Sequence, residues 1–184
     1  MFSLSSNAFA DGKATIAGGC FWCIEEAMEK VDGVKEAVSG FSGGDKVNPS
    51  YKEVASGLTK HIEAVQVSFD EKKVSYETII RKFFMNIDPT DDGGQFVDRG
   101  PHYAPAIFYH NDEQKNIVDK IIKEFEEKKI FGSKIKVAVR SYKNFYPAEE
   151  YHQDYYKKSP IRYKFYKFNS GRTQYVNSIW KDKK

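Results

Sequence analysis

The chain has 184 residues, of which 40% are apolar, 30% charged and 15% aromatic, and its formal net charge is +3. That length makes about one domain, large enough to bury a core without a disulfide scaffold, and 12 Tyr, 14 Phe and 2 Trp exclude a disordered chain. No apolar stretch nears the roughly 20 residues of a membrane helix, the charge balance does not argue for nucleic acid, and two cysteines three apart build no secreted cystine framework.

Residues 1–12 are expected to be a flexible N-terminus. Within it Ala8-Phe9-Ala10 before Asp11 has the small-residue spacing of a signal-peptidase site, yet no basic segment precedes it. A cytoplasmic location is therefore expected, and a periplasmic or secreted one if residues 1–10 are a signal-peptide remnant. Lys13 to Ala17 reads as a strand. Gly18-Gly19-Cys20 leads into a helix with Ile24, Ala27, Met28 and Val31 on one face and Gly33 past its end. Val34 to Phe41 reads as a strand running to Gly43-Gly44, and Asp45 to Lys60 as a loop with a turn at Asn48-Pro49. Ile62, Ala64, Val65, Val67 and Phe69 mark the next strand. Tyr76, Ile79, Ile80, Phe83, Phe84 and Ile87 then fit one helical face.

A second long loop spans Asp88 to Pro105. Ala106 to Tyr109 follows as a strand, Ile117 to Phe125 as a helix and Ile135 to Val139 as a strand. Glu149 to Lys158 reads as a short helix stopped at Ser159-Pro160. The first six elements, strand–helix–strand–strand–helix–strand, match the split βαβ pattern, so residues 13–184 are expected to form a single α/β two-layer sandwich with a ferredoxin-like core. Two long loops in one compact domain point to function. From Lys157 to Lys184 nine basic residues face one acid, interleaved with Tyr163, Phe165, Tyr166 and Phe168. This tail is expected to be a solvated segment whose aromatics pack down on the domain.

The informative stretch is Gly18-Gly19-Cys20-Phe21-Trp22-Cys23-Ile24-Glu25-Glu26. Cys20 falls where a strand turns into a helix, and the unpaired N–H groups and positive dipole end there favour a thiolate. Cys20 is thus the expected nucleophile, and Cys23, one turn on, can reach its sulfur. Zinc is not expected, because no second cysteine pair or close histidine pair accompanies the first. A CxxC at such a turn also suits a thioredoxin-like dithiol–disulfide oxidoreductase, with Pro105 facing the pair. Against that alternative stand the bulky Phe21-Trp22 spacer, the element order and the extra length.

Gly19-Cys20-Phe21-Trp22 with Glu25, Gly40-Phe41-Ser42-Gly43-Gly44 and Asn48-Pro49-Ser50-Tyr51-Lys52-Glu53-Val54 resemble signatures of the peptide methionine sulfoxide reductase A family. The likeness continues in His61-Ile62-Glu63-Ala64-Val65, Asp98-Arg99-Gly100-Pro101-His102-Tyr103 and Phe145-Tyr146-Pro147-Ala148-Glu149. The blocks run in family order from residue 18 to about residue 156. The resemblance implies that residues 13–184 are one catalytic domain that reduces the S epimer of methionine sulfoxide, free or in oxidised proteins. Cys20 would attack the sulfoxide sulfur and Glu63, its pKa raised by burial, would protonate the oxygen. Tyr51 and Tyr103 would hydrogen-bond that oxygen, Phe21 and Trp22 would hold the S-methyl group, and Asp98 would order polar contacts at the site. The resulting sulfenic acid on Cys20 would be condensed to a disulfide and reopened by a dithiol such as thioredoxin, with no bound cofactor. Many members have Gly after Phe-Trp and a resolving cysteine in the tail. This chain has Cys23 there and no cysteine after it, which makes Cys23 the intramolecular resolver. Lys60 stands where Gly often precedes the histidine, which bears on the local loop shape. A monomer is expected.

Overall fold

The computed structural model describes residues 11–181. The signal-peptidase spacing at residues 8–10 lies outside them. In chain order the elements are β1 (Gly12–Ala17), α1 (Phe21–Glu29), β2 (Val34–Ser42), α2 (Tyr51–Ala55), β3 (Ile62–Phe69) and α3 (Tyr76–Phe84). There follow β4 (Gly94–Gln95), β5 (Asp98–Arg99), β6 (Ala106–Tyr109), α4 (Asp112–Glu127), β7 (Ala138–Ser141), β8 (Tyr146–Pro147), α5 (Tyr155–Lys158), α6 (Pro160–Asn169) and α7 (Arg172–Trp180).

Six strands form one mixed sheet in the order β7-β6-β1-β3-β2-β8, flanked by helices. Its central four, β6-β1-β3-β2, are antiparallel to their neighbours and have the strand order of the ferredoxin-like core. β7 adds in parallel to β6, and β8 adds antiparallel to β2. The core follows from the periodicities. Ile16, Val65, Val67 and Phe69 of the strands are buried with Ile24 and Met28 of α1 and with Ile79, Ile80, Phe83 and Phe84 of α3. Each such side chain removed from water contributes roughly 1.5–3 kcal/mol. Ser75 caps α3 and Asn111 caps α4, each accepting a hydrogen bond from a backbone N–H in the first turn.

Antiparallel pairing collects the chemistry at one sheet end. The C-terminal end of β1 lies beside the start of β6, with Ala17 opposite Ala106. The start of β3 lies beside the end of β2, with Glu63 opposite Phe41. The turn to Cys20, Glu63 and the long loop ahead of β6 therefore converge.

Several expectations change. The loop 45–60 contains α2, whose Ser50 and Glu53 exchange hydrogen bonds in a capping box. A one-turn helix that buries only Val54 leaves no periodic signal. The strand expected at Ile135–Val139 begins at Ala138, where pairing with β6 starts at Ala106. The helix expected over Glu149–Lys158 is a 3₁₀ turn at Glu150–His152 and the short α5, parted by Asp154 at φ +54°. The tail expected as a solvated segment forms α6 and α7, with Tyr163 and Trp180 buried. Of its four interleaved aromatics, Tyr163 and Tyr166 pack inward, whereas Phe165 and Phe168 are exposed.

Candidate active site

β1 delivers the chain to Gly18-Gly19, where Gly19 takes φ +78°; a Cβ there would stand 2.5 Å from Cβ of Gln95. Glycine is required at that turn. Cys20 then caps α1, and the Cys23 N–H donates to its carbonyl at 3.1 Å. Both cysteines are free thiols, Cys20 6% and Cys23 1% exposed.

The two sulfurs interact, and burial decides between them. Burial pushes the Cys20 thiol well above its usual range, and the charges on Cys23 and Glu63 push the same way. Cys23 is held down to about 6, first by a hydrogen bond from Cys20, which outweighs its own burial, then by Arg172, Lys167 and the Tyr163 hydroxyl. The proton of the pair therefore rests on Cys20 and the charge on Cys23. Burial of Cys20 thus works against the thiolate that the helix start favours.

Glu63, 2% exposed, accepts the Phe21 N–H at 3.0 Å through Oε2, which ties the start of β3 to the first turn of α1. Burial raises its pKa to about 8 against the opposing pull of that hydrogen bond, with Asp98 and Cys23 adding to the rise. A carboxyl in this setting is an acid at neutral pH. Tyr51, the first residue of α2, and Tyr103, in a 3₁₀ turn before β6, are half-buried and both lie close enough to Glu63 to feel its charge. Burial first, and the nearby Glu63 second, raise both phenols, so both remain O–H donors. Asp98 in β5 accepts the Tyr166 hydroxyl, and burial raises its pKa. All eight expected site residues thus lie in one neighbourhood.

An aromatic wall surrounds the thiols. Phe21 is 1% exposed and sits 6.2 Å from the ring of Tyr51, while Trp22 stacks on Tyr155 at 4.0 Å. His152, 3% exposed, lies 4.3 Å from Tyr51 and 5.1 Å from Phe21, and burial lowers its pKa, so it serves as an apolar-facing ring. Lys60 takes φ +57°, a left-handed conformation that accounts for a glycine preference at this position. It precedes His61, which accepts the Gly44 N–H and bonds to the Lys46 carbonyl, holding the loop before α2.

Sequence reasoning missed four groups. Tyr163 and Tyr166 reach the thiols from α6, as the basic–aromatic interleaving of the tail could have suggested. Arg172, 2% exposed, donates to the carbonyls of Gly18 at 3.0 Å and Asn86 at 2.5 Å; no local pattern announces it. Buried Gln95 folds the loop 88–105 through the backbone of Asp88, Asp91 and Gly94. Among the described residues no cluster of three or more His, Cys, Asp or Glu is arranged to hold a metal ion. No described helix is long and apolar enough to cross a membrane.

Comparison with known proteins agrees with this geometry. The family model described as peptide methionine sulfoxide reductase matches residues 12–184. Peptide methionine sulfoxide reductase MsrA/MsrB of Vibrio cholerae is 53% identical over 168 residues, which are 91% of this chain and 44% of that one. The chain thus spans under half the length of that relative. Peptide methionine sulfoxide reductase MsrA 2 of Staphylococcus aureus is 47% identical over 91% of this chain and 94% of its own length. The reduced crystal structure of Mxr1 from Saccharomyces cerevisiae superposes with a TM-score of 0.77 at 34% identity, covering 84% of this chain and 88% of that one. The same protein in complex with Trx2 gives 0.56 at 26% identity, covering 83% and 90%. On a family match over residues 12–184, and on a Staphylococcus aureus relative 47% identical along nearly its full length, the chain belongs to the peptide methionine sulfoxide reductase A family.

Proposed function

We infer that the chain is a thiol-dependent methionine sulfoxide reductase acting on the S epimer, free or protein-bound. The observation that carries the mechanism is a buried carboxyl, Glu63, poised as an acid near Cys20 at the start of α1. In this reading Cys20 attacks the sulfoxide sulfur as its proton passes to the Cys23 thiolate, and Glu63 protonates the departing oxygen. Methionine leaves and Cys20 carries the oxygen as a sulfenic acid. Tyr51 and Tyr103 donate to the oxygen, Phe21 and Trp22 seat the S-methyl group, and Asp98 with Tyr166 orders the polar edge. Cys23 then sheds its proton, attacks the Cys20 sulfur, and the hydroxyl leaves as water. This makes the chain a CxxC-using member of its family. A dithiol of the thioredoxin class returns two electrons; the structure of the related Mxr1 in complex with Trx2 supports a partner of that class. Residues 13–184 act as one catalytic domain, as a monomer, with no bound cofactor.

The family match favours this reading over a general dithiol–disulfide oxidoreductase. Each pure sulfoxide epimer, incubated with the protein and dithiothreitol, tests it. The S epimer should be consumed and the R epimer left. Reduction of insulin disulfides with both epimers untouched would reverse the choice.

A further inference from the structure

We propose that the recycling reductant attacks Cys20 rather than Cys23, so that the mixed disulfide forms on the same sulfur that attacked the substrate. This rests on the reading above that Cys20 and Cys23 form the oxidised disulfide. Residues three apart at a helix start have Cβ atoms about 5–6 Å apart, close enough for a disulfide after a small adjustment.

Access separates the two sulfurs. Cys20 precedes the first turn of α1 near Tyr51, at the place where a substrate sulfoxide must enter in the reading above, and keeps 6% of its surface exposed. Cys23, at 1%, lies one turn deeper under the C-terminal helices. Tyr163, itself 2% exposed, donates to Glu26 and is one of the groups that hold down the Cys23 pKa. Lys167 is paired with Glu26 at 2.5 Å. Arg172 is pinned on the Gly18 and Asn86 carbonyls, with its guanidinium 4.7 Å from the centre of the Phe96 ring. A thiolate approaching Cys23 would have to break these contacts at buried Tyr163, whereas the α6 residue in reach of Cys20 is the partly exposed Tyr166. One approaching Cys20 follows the path of the substrate.

Leaving-group chemistry points the same way. In thiol–disulfide exchange the sulfur with the lower pKa leaves faster. The groups facing Cys23 are the Cys20 thiol, Tyr163, Tyr166, Lys167 and Arg172; the Cys20 thiol, Tyr163, Lys167 and Arg172 stabilise its thiolate, and Glu63 is the opposing acid. Cys23 is held at about 6, whereas burial raises Cys20. The step balances. The reductant thiolate bonds to Sγ of Cys20, the Cys20–Cys23 bond breaks, and its electron pair leaves with Cys23 as a thiolate. The reductant's second thiolate then attacks the reductant sulfur of the mixed disulfide. Cys20 departs and takes a proton from water, and the reductant ends as a disulfide, two electrons poorer. The C-terminal helices, which carry no cysteine, thereby act as a positioning device for the resolving thiol.

The full-length protein is oxidised with the S-sulfoxide and the Cys20–Cys23 disulfide is verified by mass spectrometry. It is then mixed with a thioredoxin whose second active-site cysteine is serine, quenched in acid, alkylated, and cleaved after Phe21 and Trp22 so that the two cysteines part. Thioredoxin on the Cys20 peptide with the alkyl group on Cys23 is the expected result. Thioredoxin on Cys23 overturns the proposal while leaving the resolving role intact. If turnover produces no Cys20–Cys23 disulfide, that role fails and the proposal falls with it. Tyr163→Phe and Lys167→Met add a second readout. Each should slow the reductive half-reaction several-fold and move the ultraviolet titration of the Cys23 thiolate to higher pH. An unchanged rate and titration in both folded variants would remove the leaving-group argument.

Discussion

Glu63 must stay protonated next to a sulfur pair that carries a charge, and its position at the start of β3 achieves this by excluding water. Glu63→Gln keeps the hydrogen bond from Phe21 but has no proton to give, so the single-turnover rate should fall by on the order of 10²- to 10⁴-fold. The wild-type rate should also be bell-shaped in pH. It falls below about 6, where Cys23 is protonated and cannot take the Cys20 proton, and above about 8, where Glu63 loses its own. Stopped-flow single turnovers across pH check both limbs, and a Glu63→Gln enzyme that keeps the alkaline limb would show that another group sets it. Tyr51→Phe and Tyr103→Phe should each cost about ten- to a hundredfold. Because the two hydroxyls are proposed to serve one sulfoxide oxygen, their double variant should depart from the product of the single effects. At this scale the motif order singled out Cys20, Glu63 and both tyrosines, and the fold brings them close together. The ionisation order of Cys20 and Cys23 was not legible, since it depends on Arg172, Lys167 and Tyr163, about 140–150 residues downstream by the numbering. Local spacing holds no record of such contacts.

The elements divide by how their buried faces are made. α3 buries Tyr76, Ile79, Ile80, Phe83 and Phe84, an apolar stripe at helical spacing, and it was readable at once. α6 inverts the usual pattern: Ile161, Phe165 and Phe168 face water, while Tyr163 is buried. α7 buries an arginine and a tryptophan. Apolar periodicity cannot find helices whose inner faces are polar and aromatic. The turns can be tested directly. Gly19→Ala places a Cβ 2.5 Å from Gln95 at a left-handed φ, so it should destabilise the fold by about 1–3 kcal/mol and displace Cys20, with loss of reductase activity. Lys60→Gly should do the opposite, raising stability by up to about 1 kcal/mol by relieving a left-handed residue, with activity retained. Denaturant melts of both variants decide, and a Gly19→Ala protein as stable as wild type would mean that the turn relaxes without cost.

At the scale of the whole molecule, a ferredoxin-like sheet supports a site that it does not itself stabilise. The strand order brings the end of β1 and the starts of β3 and β6 together, and the site is assembled from those ends and their loops. The cost of a buried acid then appears in global stability. Glu63 has a folded pKa of about 8 against an ordinary 4.5, so the folded state binds more protons than the unfolded state between those values. Its contribution is fully present below about pH 4.5 and is lost progressively as the pH rises through about 8. A rise of that size corresponds to on the order of 3–5 kcal/mol. Burial raises Glu25 to about 7, which acts in the same direction, whereas Cys23, held at about 6 against an ordinary 9, acts in the opposite one. The difference between wild type and Glu63→Gln isolates the first group. The variant should gain on wild type steadily between pH 5 and pH 9 by roughly that amount, even as it loses its chemistry. Chemical denaturation of the reduced proteins at each pH measures the gap. A gap that stays flat across this range would mean that Glu63 ionises in the fold as readily as in water, and the acid assigned to the sulfoxide oxygen would have to be found elsewhere.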